Sequence, residues 1–312
     1  MSEVEIREVT DGLRFPEGPI ALPDGSVLVV EIARRCLTRV APDGTRTIVA
    51  EPGGGPNGAA LGPDGKVYVC NNGGFEFADD GDGRIRPVRE AWDYSGGRIE
   101  RIDLDTGQVE VLYRGTHELP LRGPNDLVFD GRGGFYFTDL GKVRTRELDR
   151  GALFYARADG SLIREVAFPL ITPNGIGLSP DDRTLYVAET EAARLWAFDI
   201  LEPGVLRKAP FPSPHGGRLV AAPGGRYQRF DSLAVEASGR VCVATLVHGG
   251  ITVADPGGGV IEHVPMPDLY TTNICFGGED LRTAYITLSH AGRLVACRWP
   301  RPGLALHHLN HR

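Results

Sequence analysis

Six short segments of this chain each set an oxygen-bearing side chain at the mouth of an apolar run. They are 17-EGPIALPDGSVLVVE-31, 57-NGAALGPDGKVYVCN-71, 125-NDLVFDGRGGFYFTD-139, 174-NGIGLSPDDRTLYVAE-189, 231-DSLAVEASGRVCVAT-245 and 273-NICFGGEDLRTAYIT-287. Their first residues are Glu17, Asn57, Asn125, Asn174, Asp231 and Asn273. Carboxylates and carboxamides brought to one point suit a hard divalent cation such as Ca²⁺ or Mg²⁺. Zn²⁺ prefers His and Cys, and neither stands at these positions. A single Asn or Asp before a strand is ordinary turn chemistry. Six matched anchors with no apolar member go beyond it, and burying Glu17 and Asp231 without a counter-charge is costly.

The elements that must carry these anchors are β-strands. The runs VLVVE, KVYVC, GFYFTD, TLYVAE, RVCVAT and TAYIT are short, rich in Val, Tyr, Phe and Thr, and bounded by Asp/Gly turns. No long window shows helical periodicity. From Glu17 to Asn273 there are five steps averaging about 51 residues, the period of a propeller blade. The expected fold is all-β: a six-bladed β-propeller with a metal site in its central channel, one domain over residues 1–312. If each anchor opens the innermost strand of a blade, the six form a ring at one mouth of the channel. The second strand runs back to that mouth and adds Glu31, Asn71, Asp139, Glu189, His248 and His290 around it. Two stretches break the rhythm, 72–96 and 202–230, and such long connections are often lids or binding loops. Trp92 and Tyr94 are candidate lid residues. The tract 79-DDGDG-83 lacks the spacing of a calcium loop and reads as a solvated turn.

Composition narrows the function. The net charge of −7 argues against nucleic acid or an anionic membrane as partner. The start MSEVEIREVT has no apolar core segment, and no run is long enough for a membrane helix, so a cytoplasmic protein is expected. The five cysteines, Cys36, Cys70, Cys242, Cys275 and Cys297, form no CxxC pair and read as buried thiols. No nucleophile elbow, Walker A motif or dinucleotide fingerprint occurs. None of the three lysines, Lys66, Lys142 and Lys208, falls on an anchor. The tail histidines His307, His308 and His311 are expected in solvent.

The segments 15-FPEGPI-20, 123-GPNDLVFD-130, 134-GFYFTD-139, 172-TPNGIGLSPD-181, 231-DSLAVEASGRV-241 and 274-ICFGGEDL-281 carry a resemblance. The chain resembles the senescence marker protein/gluconolactonase family of six-bladed propellers over about residues 10 to 300. The resemblance implies one catalytic divalent cation with ligands at Glu17, Asn174 and Asp231, and Asn125 as a fourth ligand or a substrate contact. Ca²⁺ is expected first, with Zn²⁺, Mg²⁺, Mn²⁺ or Fe²⁺ as alternatives. It also implies a small-molecule lactone as substrate. Sugar-lactone hydrolases of the vertebrate type carry Arg two residues before the third-blade Asn. Here Gly123 stands there, which looks more like the bacterial lactonase branch. A cation at this point polarises a carbonyl. Asp231 is then the candidate general base, or it only orients the water. Asn57, Asn125, Asn273 and His248 are read as substrate contacts. Two other functions fit the same residues: a phosphotriester or other carbonyl-activating reaction at the same metal, or a non-enzymatic binding scaffold.

Overall fold

The computed structural model describes residues 4–310. They form a six-bladed β-propeller. The first blade runs Pro16–Ala21, Val27–Glu31, Cys36–Val40, Arg46–Ala50. The third is Pro124–Phe129, Gly134–Asp139, Gly151–Arg157, Ile163–Leu170, and the fifth Arg229–Val235, Val241–Leu246, Gly250–Asp255, Gly259–Pro265. All are simple antiparallel meanders, as short strands joined by tight Asp/Gly turns should be.

The other three blades depart from the meander. In the second, Pro56–Leu61 and Val67–Asn71 pair before a separate hairpin, Phe75–Gly81 with Arg84–Glu90, leaves the sheet; Arg98–Ile102 and Val109–Tyr113 then complete it. In the fourth, Pro173–Leu178, Thr184–Glu189 and Arg194–Glu202 are edged by two short strands, Val205–Leu206 and Arg218–Ala221. Much of the 202–230 connection is therefore outer edge, not lid. The sixth has three strands from the C-terminal part, Thr271–Gly277, Thr283–Leu288 and Arg293–Arg298. Its outer strand is Ile6–Thr10, from the other end of the chain. That pairing closes the ring and protects an open sheet edge.

The core is layered between blades. Cys70, Ile99 and Tyr68 of the second blade pack with Phe129, Phe135 and Phe137 of the third, and Ile251 and Val253 of the fifth pack with Ile274 and Ile286 of the sixth. Middle strands thus have an apolar neighbour on each face. Val27–Glu31 and Val67–Asn71 are buried at every residue, which is why they read as continuous apolar runs and not as alternation. All five cysteines are free, four of them buried, and burial pushes the Cys36 thiol up to about 12.

At the end of the channel opposite the anchors, the C-terminal segment folds across the opening. Leu304 N donates to Val235 O at 2.8 Å, and Leu309 is buried with Ile20, Leu28 and Val67. This corrects the expectation of solvent-exposed tail histidines. His307 Nε2 lies 2.7 Å from Asp182 Oδ2, and the His308 ring meets Phe129 edge-on. His311 lies outside the described residues. Among the described residues there is no helix, hence none long and apolar enough to cross a membrane.

Candidate active site

Each inner strand loses register with its neighbour at its anchor. The breaks fall between Glu17 and Ile20, Pro56 and Ala59, Pro124 and Leu127, Pro173 and Ile176, Phe230 and Leu233, and Thr271 and Asn273. A bulge re-aims a side chain off the pleat. Here the anchors turn toward the channel. The residue after three of them is Gly for a steric reason. A Cβ on Gly18 would come 2.7 Å from Asn57 O, on Gly58 2.5 Å from Asn125 O, and on Gly175 2.6 Å from Asp231 O. Consecutive inner strands therefore touch through their backbones around the channel. Phe15 and Thr172, each two residues before an anchor, take left-handed φ values of 57° and 48°. Such strain collects at functional sites.

The second-strand acids fasten this geometry instead of joining the ring. Glu31 Oε2 accepts Arg14 N at 2.7 Å, Asn71 Oδ1 accepts Gly55 N at 2.8 Å, and Glu189 Oε1 accepts Ile171 N at 2.6 Å. Asp139 accepts three backbone N–H groups, from Arg122 and Gly123 at 2.7 Å and from Gly141 at 2.9 Å. In each case the donor lies two or three residues ahead of the blade's anchor, except for Gly141. His248 and His290 do neither job.

Glu17, Asn57, Asn125, Asn174 and Asp231 line one cavity at the channel mouth. Asn273 lies just beneath, where its Nδ2 donates to Glu17 Oε2 at 2.8 Å. It holds Glu17 in place and does not line that cavity. Gly18 N also donates to Glu17 Oε2, at 2.9 Å. Asn174 Nδ2 donates to Asp231 Oδ1 at 2.5 Å and to Thr190 Oγ1 at 3.1 Å. Asn125 Oδ1 is buried with no hydrogen-bond partner among the described residues. Among these residues no three His, Cys, Asp or Glu side chains gather in one cage. At its anchor positions the mouth holds two carboxyl groups, Glu17 and Asp231, among carboxamides.

Burial dominates the electrostatics. It lifts Glu17 to about 7, against the pull of Asn273, Gly18 N–H and Thr272. Asp231 is raised well above the ordinary carboxylate range by burial first and the Glu17 charge second. A third carboxyl, Asp126, is held up to about 8 by burial and then by Glu17. The sequence reading missed it. Its signal was the pair Asn125-Asp126 in a position where other blades carry Glu-Gly or Asn-Gly. Arg229, also missed, lines the cavity and is held by Glu191 at 3.2 Å and the Tyr227 hydroxyl at 2.9 Å.

Other candidates sit elsewhere. His248 is not on the cavity wall: its ring stacks on His263 at 3.7 Å and its Nε2 is 2.5 Å from Arg226. His290 reaches Asp80 at 3.1 Å. Trp92 is exposed and Tyr94 is spent on Arg122 O at 2.6 Å, so neither covers the mouth. Phe75, Pro87, Val88 and Arg89 of the hairpin line it. Lys142, fully buried, supports that hairpin from behind. Its Nζ donates to Gly74 O at 2.9 Å and lies 4.3 Å over the Phe75 ring, and burial brings it down to about 7. At Gly123 a Cβ would meet Gly141 O at 2.3 Å, so the backbone fills the place of any side chain.

A closed ring of six antiparallel blades with a buried acidic and carboxamide mouth defines a channel-site propeller. The sequence pattern of the SMP-30/Gluconolactonase/LRE-like region matches residues 15–290, and the chain belongs to that family. It is 31% identical over 212 residues to a lactonase, drp35, of Staphylococcus saprophyticus, covering 68% of this chain and 57% of that protein. Its match thus spans little more than half the length of that relative. It is 26% identical over 321 residues to a gluconolactonase of Zymomonas mobilis, covering 91% of this chain and 79% of the other. The fold is shared with a calcium-binding protein, regucalcin, from Agrobacterium tumefaciens. The TM-score is 0.73 at 19% identity, over 97% of this chain and 98% of that one.

Proposed function

We propose that this protein is a divalent-metal-dependent hydrolase that opens a lactone ring. The observation that carries the metal is the channel mouth. Glu17 and Asp231 are buried together, burial holds both carboxyls high, and Asn125 Oδ1 faces the same cavity without a partner. A cation is the counter-charge such a set accepts, and an all-oxygen set favours Ca²⁺ or another hard ion. The lactone is supported by family membership and by the names of the two relatives. A binding scaffold has no use for two carboxyl groups buried together in its channel.

Glu17, Asn125, Asn174 and Asp231 would hold the ion. Asn174 donates Nδ2 to Asp231 Oδ1, and its own Oδ1 is the atom it would offer the ion. When bound, the ion polarises the lactone carbonyl and offsets the charge that develops on its oxygen. The chain's own residues do the rest. Asn273 and Gly18 N–H fix the Glu17 carboxylate. Asn174 fixes Asp231 through Oδ1, leaving Oδ2 to take the proton of the attacking water. Water adds to the carbonyl carbon, the ring C–O bond breaks, and the proton passes from Asp231 to the departing alkoxide. The product is a hydroxy acid.

The test of the metal reading is proton release. A raised carboxyl holds a proton that an incoming cation must displace. Calorimetric Ca²⁺ titration at pH 6, in buffers of different ionisation enthalpy, should show protons expelled on binding. Affinity should climb from pH 6 to pH 8 as Glu17 titrates near 7. A binding constant flat across that range, with no protons released, counts against these ligands.

A further inference from the structure

We infer that the hairpin Phe75–Gly81/Arg84–Glu90 is the substrate-selecting wall of this site, and that it selects a lactone bearing an alkyl or aryl substituent over a polyhydroxylated one. This rests on the lactonase reading above and names the substrate class within it.

The hairpin leaves the second blade and lands on three others. Ile85 is buried against Phe15 and Ile32 of the first blade. Its N–H donates to His290 O of the sixth at 3.3 Å, and Asp80 Oδ2 meets His290 Nε2 at 3.1 Å. Glu90 N donates to Val143 O of the third at 2.9 Å, and Glu90 pairs with Arg144 at 3.2 Å. A two-stranded ribbon alone is marginal in water. Contacts on three blades, with Lys142 under Phe75, make this one a fixed wall.

What the wall presents is apolar. Phe75, Pro87 and Val88 line the cavity from the hairpin, and Phe15, Leu246 and Tyr270 line it from the first, fifth and sixth blades. Outside the anchors, four polar side chains on the wall already have partners. Thr190 Oγ1 accepts Asn174 Nδ2 at 3.1 Å, and Thr172 Oγ1 accepts Glu191 N at 2.9 Å. Arg89 is forked on Glu76 at 2.7 and 3.1 Å, and Arg229 on Glu191 and Tyr227. A sugar lactone brings several hydroxyls, and each one desolvated without a partner is penalised. An alkyl chain on the same ring gains from the same surface. Discrimination by polar mismatch is the strong kind.

The experiment compares two δ-lactones of equal ring size, δ-decalactone and glucono-1,5-lactone, on the Ca²⁺-loaded protein, with spontaneous hydrolysis subtracted. Binding of the corresponding non-hydrolysable lactams is measured by calorimetry alongside. The expected kcat/KM ratio favours the alkyl lactone by about a hundredfold, and the alkyl lactam binds more tightly. Val88→Asn, at a partly exposed position that the fold tolerates, should cut that preference about tenfold in both readouts. Preference for the gluconolactone, or a Val88→Asn ratio equal to wild type, overturns the inference and leaves the lactonase reading standing. Tight alkyl-lactam binding with no lactone turned over keeps the apolar wall and removes the lactonase. Neither binding nor turnover removes both.

Discussion

Asp231→Asn is expected to lower kcat/KM of the Ca²⁺-loaded protein by about a thousandfold or more and to weaken Ca²⁺ binding, without loosening the fold. The replacement is isosteric, and its Oδ1 still accepts Asn174 Nδ2, now at 2.5 Å. What disappears is one ligand charge and the oxygen that takes the proton. Loss of a general base alone is worth about 10²–10⁴, and loss of a preorganised charge at the reacting carbonyl about 10²–10³. The two act as a unit, so the effects do not simply multiply. The metal-free variant should unfold no more easily than wild type, because burial and the Glu17 charge already disfavour the Asp231 carboxylate. Steady-state kinetics on a lactone, Ca²⁺ titration and thermal unfolding check the three parts together. Full turnover in the variant contradicts the assignment of Asp231.

Asp139→Ala should produce the largest loss of stability among the residues around the channel. Its carboxylate is buried and accepts three backbone N–H groups within 2.9 Å. An alanine leaves all three without a partner, and a buried unsatisfied donor costs about 1–3 kcal/mol each. A total of about 3 kcal/mol or more is expected in urea unfolding. Turnover should fall as well, because Arg122 and Gly123 lead directly into Asn125. Asp139→Asn keeps one acceptor oxygen and should fall between. An alanine variant within about 0.5 kcal/mol of wild type, the range of neutral surface changes, contradicts the role given to the second-strand acids.

The blades were legible because each repeats the same local chemistry: anchor, apolar run, Asp/Gly turn, apolar run. The shared mouth followed from that repeat, since six inner strands of one polarity must open at one end. The same logic over-reached at the second strand. Glu31, Asn71, Asp139 and Glu189 do return to that end, but they are consumed by the backbone ahead of each anchor. His248 and Asn273 show the limit from another side. Their positions in the repeat match the others, yet His263 captures one and Glu17 the other. Pairings between distant parts of the chain left no local mark. Ile6–Thr10 reads as any short strand, and only ring closure sends it to Arg293–Arg298. The 72–96 insertion was visible as polar and Gly-rich, but not as a hairpin reaching the first and sixth blades through Ile85. Asp126 was overlooked and Lys142 set aside because a lone acid or lysine in a strand-turn context is usually solvated, and only their packing removes them from water.

The most direct test strips the protein with chelator and returns Ca²⁺, Mg²⁺, Mn²⁺, Zn²⁺ or Fe²⁺ singly. Each form is assayed by proton release on γ-, δ-, aromatic and sugar lactones and on one phosphotriester. The expected result is no lactone hydrolysis above background in the stripped protein, and turnover restored by at least one ion, Ca²⁺ first. Lactone turnover that persists in the stripped protein contradicts the metal. Ions that bind at Glu17 and Asp231 without restoring turnover of any lactone contradict the reaction.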